Sequence, residues 1–136
     1  MKIPRQSARP RRAFTLLEMT IVIMVLLALI TIGLFSSKKM DEWKLGRQAS
    51  ESLRTVYSAQ RMYLADNPTA SVASLTPELL IPYLPTRATS LPTVKSLTGT
   101  NLSILVNVSP PVINAGSGTT YDPSGSNNDS LWDVGE

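Results

Sequence analysis

Neither cysteine nor histidine occurs among the 136 residues. Without cysteine there is no disulfide, no thiolate metal site and no cysteine nucleophile. Missing histidine removes the side chain best matched to acid–base work near neutral pH, and with it the commonest nitrogen ligand. These absences leave no constellation on which an enzyme could be argued. A basic surface is absent too, once the formal charge of +3 is divided along the chain. Lys2, Arg5, Arg9, Arg11 and Arg12 all precede Phe14, and the eight basic residues after them face all ten acidic ones. The positive balance is therefore that of an address signal. No basic patch interleaved with aromatics remains downstream to bind nucleic acid.

What the sequence does have is one long apolar run, "RRAFTLLEMTIVIMVLLALITIGLF". From Met19 to Ser37 there is no charge, and the polar members are the small Thr20, Thr31, Gly33, Ser36 and Ser37. At ~1.5 Å per residue, Phe14 to Phe35 makes a helix of about 33 Å, the thickness of a bilayer core. Three readings compete for it. A cleaved secretory signal has an apolar region of only about 7–15 residues and a small-x-small site behind it. This run is longer, Gly33-Leu34-Phe35-Ser36 is a poor site, and a lipoprotein signal needs a cysteine. A plain single-pass anchor with a cytoplasmic leader is the second reading, although Lys38, Lys39, Lys44 and Arg47 follow the span closely. It leaves Glu18 either hydrated among headgroups or unexplained, since an intramembrane carboxylate costs on the order of 3 kcal/mol unless paired or neutralised. The third reading cuts the chain between Ala13 and Phe14. A new ammonium then sits one helical turn from the Glu18 carboxylate, and opposite charges share one end of an apolar helix.

The stretch "RRAFTLLE" resembles the cleavage and methylation signal of the type IV pilin superfamily, which includes the type II secretion pseudopilins. The features that match are a short basic leader, a small residue before the cut, an aromatic after it, Thr-Leu-Leu-Glu and an unbroken apolar helix. By this resemblance a prepilin peptidase cuts between Ala13 and Phe14 and N-methylates Phe14, while Glu18 matches the family's glutamate near the new terminus. Burial supplies the physical role: the Glu18 carboxylate of one subunit pairs with the Phe14 ammonium of a neighbour, so a subunit docked out of register leaves both charges unpaired. The resemblance further implies a helical homo-oligomer of identical or related subunits, an inner-membrane assembly platform, and no catalytic residues. Its precursor would lie in the bacterial inner membrane, and its product would be a periplasmic or cell-surface filament. Two departures stand out: Ala13 replaces the usual glycine, and Phe35 stands where many members carry a proline. Lack of a cysteine pair argues against the disulfide-looped pilins, an acidic tail leans towards a pseudopilus over a surface pilus, and Glu18 argues against a tip subunit. The rival from another class is a single-pass anchored extracytoplasmic binding protein that never polymerises.

Beyond the span, residues 38–66 continue with helical periodicity. Leu45, Ala49, Leu53, Val56, Gln60 and Tyr63 form a stripe widened by Tyr57 and Leu64, with Gln60 its one polar member. Asp66-Asn67-Pro68 ends the helix. Residues 67–136 are too few for a robust core of their own and must fold onto that stripe. "SLTPELLIPYLP" predicts a short helix capped at Thr76 with Pro77 in its first turn. "NLSILVNV" alternates as one strand, and "PPVIN" and "TTYD" supply further short ones. The fold class expected is α+β: a long N-terminal helix, half in lipid and half amphipathic, against a small antiparallel sheet of three or so strands. The tail "YDPSGSNNDSLWDVGE" offers calcium-type oxygen ligands in Asp122, Ser124, Asn127, Asn128, Asp129 and Asp133. Asp122 and Asp133 match the ends of an EF-hand loop, but the sixth position is Asn127 and the last ligand is Asp, so that motif fails. Calcium in this loop would also match the major pseudopilins. The alternative is a solvated loop with Trp132 packed as an anchor.

Overall fold

The computed structural model describes residues 14–85 and 88–135; Ala13 and the rest of the leader lie outside the described residues. The expected helix is present as α1, Leu16–Asp66. Thr15 starts it: its hydroxyl accepts the Glu18 backbone N–H at 3.2 Å and its carbonyl accepts that of Met19 at 3.2 Å. At the other end Asn67 turns its backbone N–H (2.9 Å) and its side-chain amide (3.0 Å) onto the Tyr63 carbonyl, and Pro68 follows. The chain divides into two compact units, one ending at Lys38 and the other beginning at Lys39.

In the first unit, α1 is apolar on every side. Large side chains are exposed throughout, from Leu16 at 85% to Phe35 at 67%, and this part of the helix is long and apolar enough to cross a membrane. Three of its hydroxyls are satisfied within the helix. Thr20 donates to Leu17 O (2.7 Å), Thr31 to Leu27 O (2.8 Å) and Ser37 to Gly33 O (3.1 Å). None of these three needs water, which suits them to hydrocarbon.

In the second unit, α1 buries one face: Gly46, Ala49, Ser50, Leu53, Val56, Ala59 and Gln60. Leu45 and Tyr63 of the expected stripe pack at its edges, half-buried. Short pieces cover that face. They are 3₁₀ turns at Val72–Ser74 and Ile81–Tyr83, α2 at Pro77–Leu80, and five strands, β1 Val94–Lys95, β2 Asn101–Leu102, β3 Ile104–Leu105, β4 Val112–Gly116 and β5 Thr119–Thr120. Pro77 opens α2 after Thr76, as its sequence predicts, although the Thr76 hydroxyl makes no capping bond. Leu53, Leu80 and Ile113 are fully buried at the centre of the core.

The architecture is α+β, with two small antiparallel sheets where one was expected: β1–β2, and β3–β4–β5. Two facts explain the split. Ser103 interrupts the single strand expected over residues 101–108, and β2 pairs with β1 (Val94 opposite Leu102) while β3 pairs with β4 (Ile104 opposite Ile113). Past Leu105 the backbone leaves the ladder because Gln60, fully buried, donates its amide to both Val106 O and Val108 O at 2.9 Å. Those carbonyls are bonded to the helix in place of a neighbouring strand.

Candidate functional site

Two places carry the functional residues expected from the sequence. At the start of α1, Phe14 is 74% exposed and directly precedes the cap residue Thr15. Glu18 occupies the third helical position, where the helix dipole favours a negative charge. Thr15-Leu-Leu-Glu18 therefore has the spacing of a capping box, and half of it is formed. Among the described residues the Glu18 carboxylate itself has no ion-pair or hydrogen-bond partner. Thr15 was not singled out as functional from the sequence, yet the Thr-x-x-Glu spacing was there to reveal it.

The second place is the tail, where residues 130–135 close over α1. The Trp132 backbone N–H donates to the Gly46 carbonyl (3.2 Å), and the Arg54 guanidinium donates to Val134 O (2.7 Å) and to the Ser130 hydroxyl (3.1 Å). Gly46 is required for this approach, since a Cβ there would lie 2.9 Å from Trp132 Nε1 and 3.2 Å from Leu131. Ser130 and Trp132 both adopt positive φ, 57° and 65°. Such backbone costs of order 1–3 kcal/mol and persists only where surrounding contacts fix it. Here they do: the Trp132 ring is buried and packs edge-on against Tyr121 at 5.3 Å. The anchor role expected of Trp132 is thus present, whereas Gly46, and Arg54 with Val134 80 residues away in the chain, went unrecognised.

A cavity of about 500 Å³ opens beside this tail, walled by Pro110, Pro111, Val112 and Trp132 and carrying Asp122, Asn127 and Asp133. Both Asp133 carboxylate oxygens are buried without a hydrogen bond of good geometry. Burial first, and then the Asp129 and Asp122 charges, push the Asp133 carboxyl above its ordinary range; the Gly135 backbone amide and Arg54 pull the other way. The six oxygen donors expected from the sequence do not form one set. Asp122 Oδ1 already accepts the Ser124 backbone N–H (3.0 Å) and hydroxyl (2.6 Å), Asp129 Oδ1 accepts the Leu131 N–H (2.9 Å), and Asn128 is exposed away from the cavity lining. Calcium takes about 6–8 oxygens, and no three acidic side chains among the described residues are grouped to hold a metal ion. Asp122, Asn127 and Asp133 are the side chains that would hold one at this cavity, and the orphaned carboxylate of Asp133 is the feature that fits a cation. Comparison with protein-family models, with curated proteins and with solved structures returns no match.

Proposed function

We propose that this chain is a pilin-like structural subunit: held in the membrane by residues 14–37, cut between Ala13 and Phe14, methylated at Phe14, and polymerised into a type II secretion pseudopilus or a type IV pilus-like filament. The observation that carries this reading is the exposure of every large apolar side chain from Leu16 to Phe35, each about half exposed or more. Covering one such side chain is worth about 1.5–3 kcal/mol, so the run demands a bilayer or the same helix of neighbouring subunits. A filament with these helices inside satisfies that demand a second time, after the subunit leaves the membrane. Glu18, exposed and without a partner among the described residues, then meets the Phe14 ammonium of the next subunit. Its partners in this reading are further subunits, a prepilin peptidase and an inner-membrane assembly platform, and it performs no catalysis itself.

One observation favours the anchored, non-polymerising alternative. Glu18 stands at the third helical position, where the helix dipole favours a carboxylate with no neighbour required. Mass spectrometry of the mature amino terminus separates the two. The filament reading expects methylated Phe14 as the first residue; an uncut leader in the membrane-bound protein would sink it.

A further inference from the structure

The buried stripe of α1 runs one turn too far. Gly46, Ser50 and Leu53 are buried, and Trp43 precedes Gly46 by three positions and Ser50 by seven, so it falls on the same side of the helix. Yet Trp43 is 54% exposed, and Met40, one step earlier, is 55% exposed. The β1–β2 connection brings Leu97, 41% exposed, to the same recess of about 260 Å³, which Trp43 lines together with Pro123, Leu131 and Trp132. Lys39, Glu42 and Ser124 line the recess as well, so this edge of the second unit is apolar at Trp43, Leu97, Pro123 and Leu131 and charged at the Lys39–Glu42 ion pair.

We infer that this edge docks on the headgroup layer of the lipid bilayer, with Trp43 as its anchor. Position is the first reason. Trp43 lies six residues beyond Ser37, the last uncharged residue of the apolar run, and so is among the first residues of the second unit to follow that run in the chain. Residue type is the second reason: tryptophan concentrates at the membrane–water interface because one end of its ring is apolar and the other donates a hydrogen bond. Charge is the third. Lys38, Lys39, Lys44 and Arg47 surround Trp43 in sequence against Asp41 and Glu42; Lys39 pairs with Glu42 (3.1 Å) and Lys44 with Asp41 (3.7 Å), which leaves Lys38 and Arg47 in excess, and the Arg47 guanidinium lies 5.8 Å from the Trp43 ring centroid. Basic groups beside an interfacial aromatic match lipid phosphates and are favoured most by anionic headgroups. A second copy of the chain is the competing occupant, and the test below separates the two. The inference rests on the membrane part of the function proposed above and deepens it by naming the surface on which the exposed unit sits.

The test uses the full chain in vesicles of phosphatidylcholine and phosphatidylglycerol, with bromine placed either near the glycerol end or near the methyl end of the acyl chains. In a Trp132→Phe background Trp43 is the only tryptophan; should that variant fail to fold, the difference between wild type and Trp43→Phe gives the same signal. Loss of Trp43 emission to the shallow bromines, and much less to the deep ones, is the expected result. A Phe35→Trp reporter in a background lacking both native tryptophans locates the span independently. If that reporter is quenched while Trp43 is not, the docking is wrong and the membrane reading stands; if neither is quenched, both fall. Emission from Trp43 that follows protein concentration and ignores bromine would assign the edge to a second copy, overturning the inference.

Discussion

A carboxylate at the third position of a helix is favoured locally by the dipole, and Glu18 stands there with its backbone N–H capped by Thr15. Substitutions separate this local role from any role in assembly, because the capping bond uses the backbone N–H of Glu18 and not its side chain. Glu18→Gln keeps that bond and removes the charge. Filament yield is expected to collapse in Glu18→Gln with leader cleavage retained, as read by electron microscopy and terminal mass spectrometry; equal yields would end the charge-pairing account. Thr15→Val does the converse, removing the cap at a cost of about 1 kcal/mol while leaving the charge, and amide exchange at Glu18 should quicken. Asp133 makes a second residue-scale case. Its carboxyl is raised above the ordinary value of 3.8 mainly by burial, so the folded chain holds this proton to higher pH than the unfolded chain does. Stability from this group is therefore greatest below the ordinary carboxylate range and is lost as pH rises towards the raised folded value. In chelator at neutral pH, Asp133→Asn should melt at the same temperature as wild type or slightly higher, with a flatter pH dependence. If calcium occupies the cavity the order reverses on adding it: wild type gains melting temperature and Asp133→Asn does not. Residue types were legible in the sequence here, but the convergence of Asp122, Asn127 and Asp133, and the diversion of Ser124 and Asp129 into local turns, depended on the folded path of the tail.

Between elements, two residues of α1 decide how the second unit closes. Gln60 is the only polar member of the stripe that could be read from periodicity, and it ties the helix to residues 106–108 by two 2.9 Å bonds. Gln60→Leu preserves volume but strips both carbonyls of their donor; Val108 lies partly in water, so the loss is expected near about 2 kcal/mol in urea unfolding. Gly46 decides the other closure. Gly46→Val improves local helix propensity but drives atoms into Leu131 and Trp132, so a net destabilisation of about 1–3 kcal/mol is expected, accompanied by loss of Trp132 near-UV signal. The periodicity of α1 was readable because burial of a helix face repeats every turn: Ala49, Leu53, Val56 and Gln60 are all buried. Strand limits were not. Alternation over residues 102–108 correctly marked Ile104 and Val106 as inward, but nothing local announces that a glutamine more than forty residues earlier will take the carbonyls that a longer strand would need.

Across the whole molecule, burial and exposure are segregated along the chain. Among the described residues every buried one lies between Gly46 and Trp132, whereas the apolar side chains of residues 16–35 contribute nothing to a core. The boundary between units at Lys38 and Lys39 falls where the apolar run meets its first charges. Folding and assembly are then separable. A fragment of residues 39–136 retains the complete core and both sheets, so it should melt within a few degrees of the detergent-solubilised full chain and sediment as a monomer. The full chain should need detergent, lipid or its own neighbours to remain dispersed, because roughly 20 apolar residues have no cover of their own. Matching melting temperatures would mean that the first half of α1 adds little to fold stability and that its apolar composition answers to the membrane and the filament. A large loss of stability in the fragment would instead make residues 14–38 part of the folded core, and the separation of storage, folding and polymerisation along this chain would have to be abandoned.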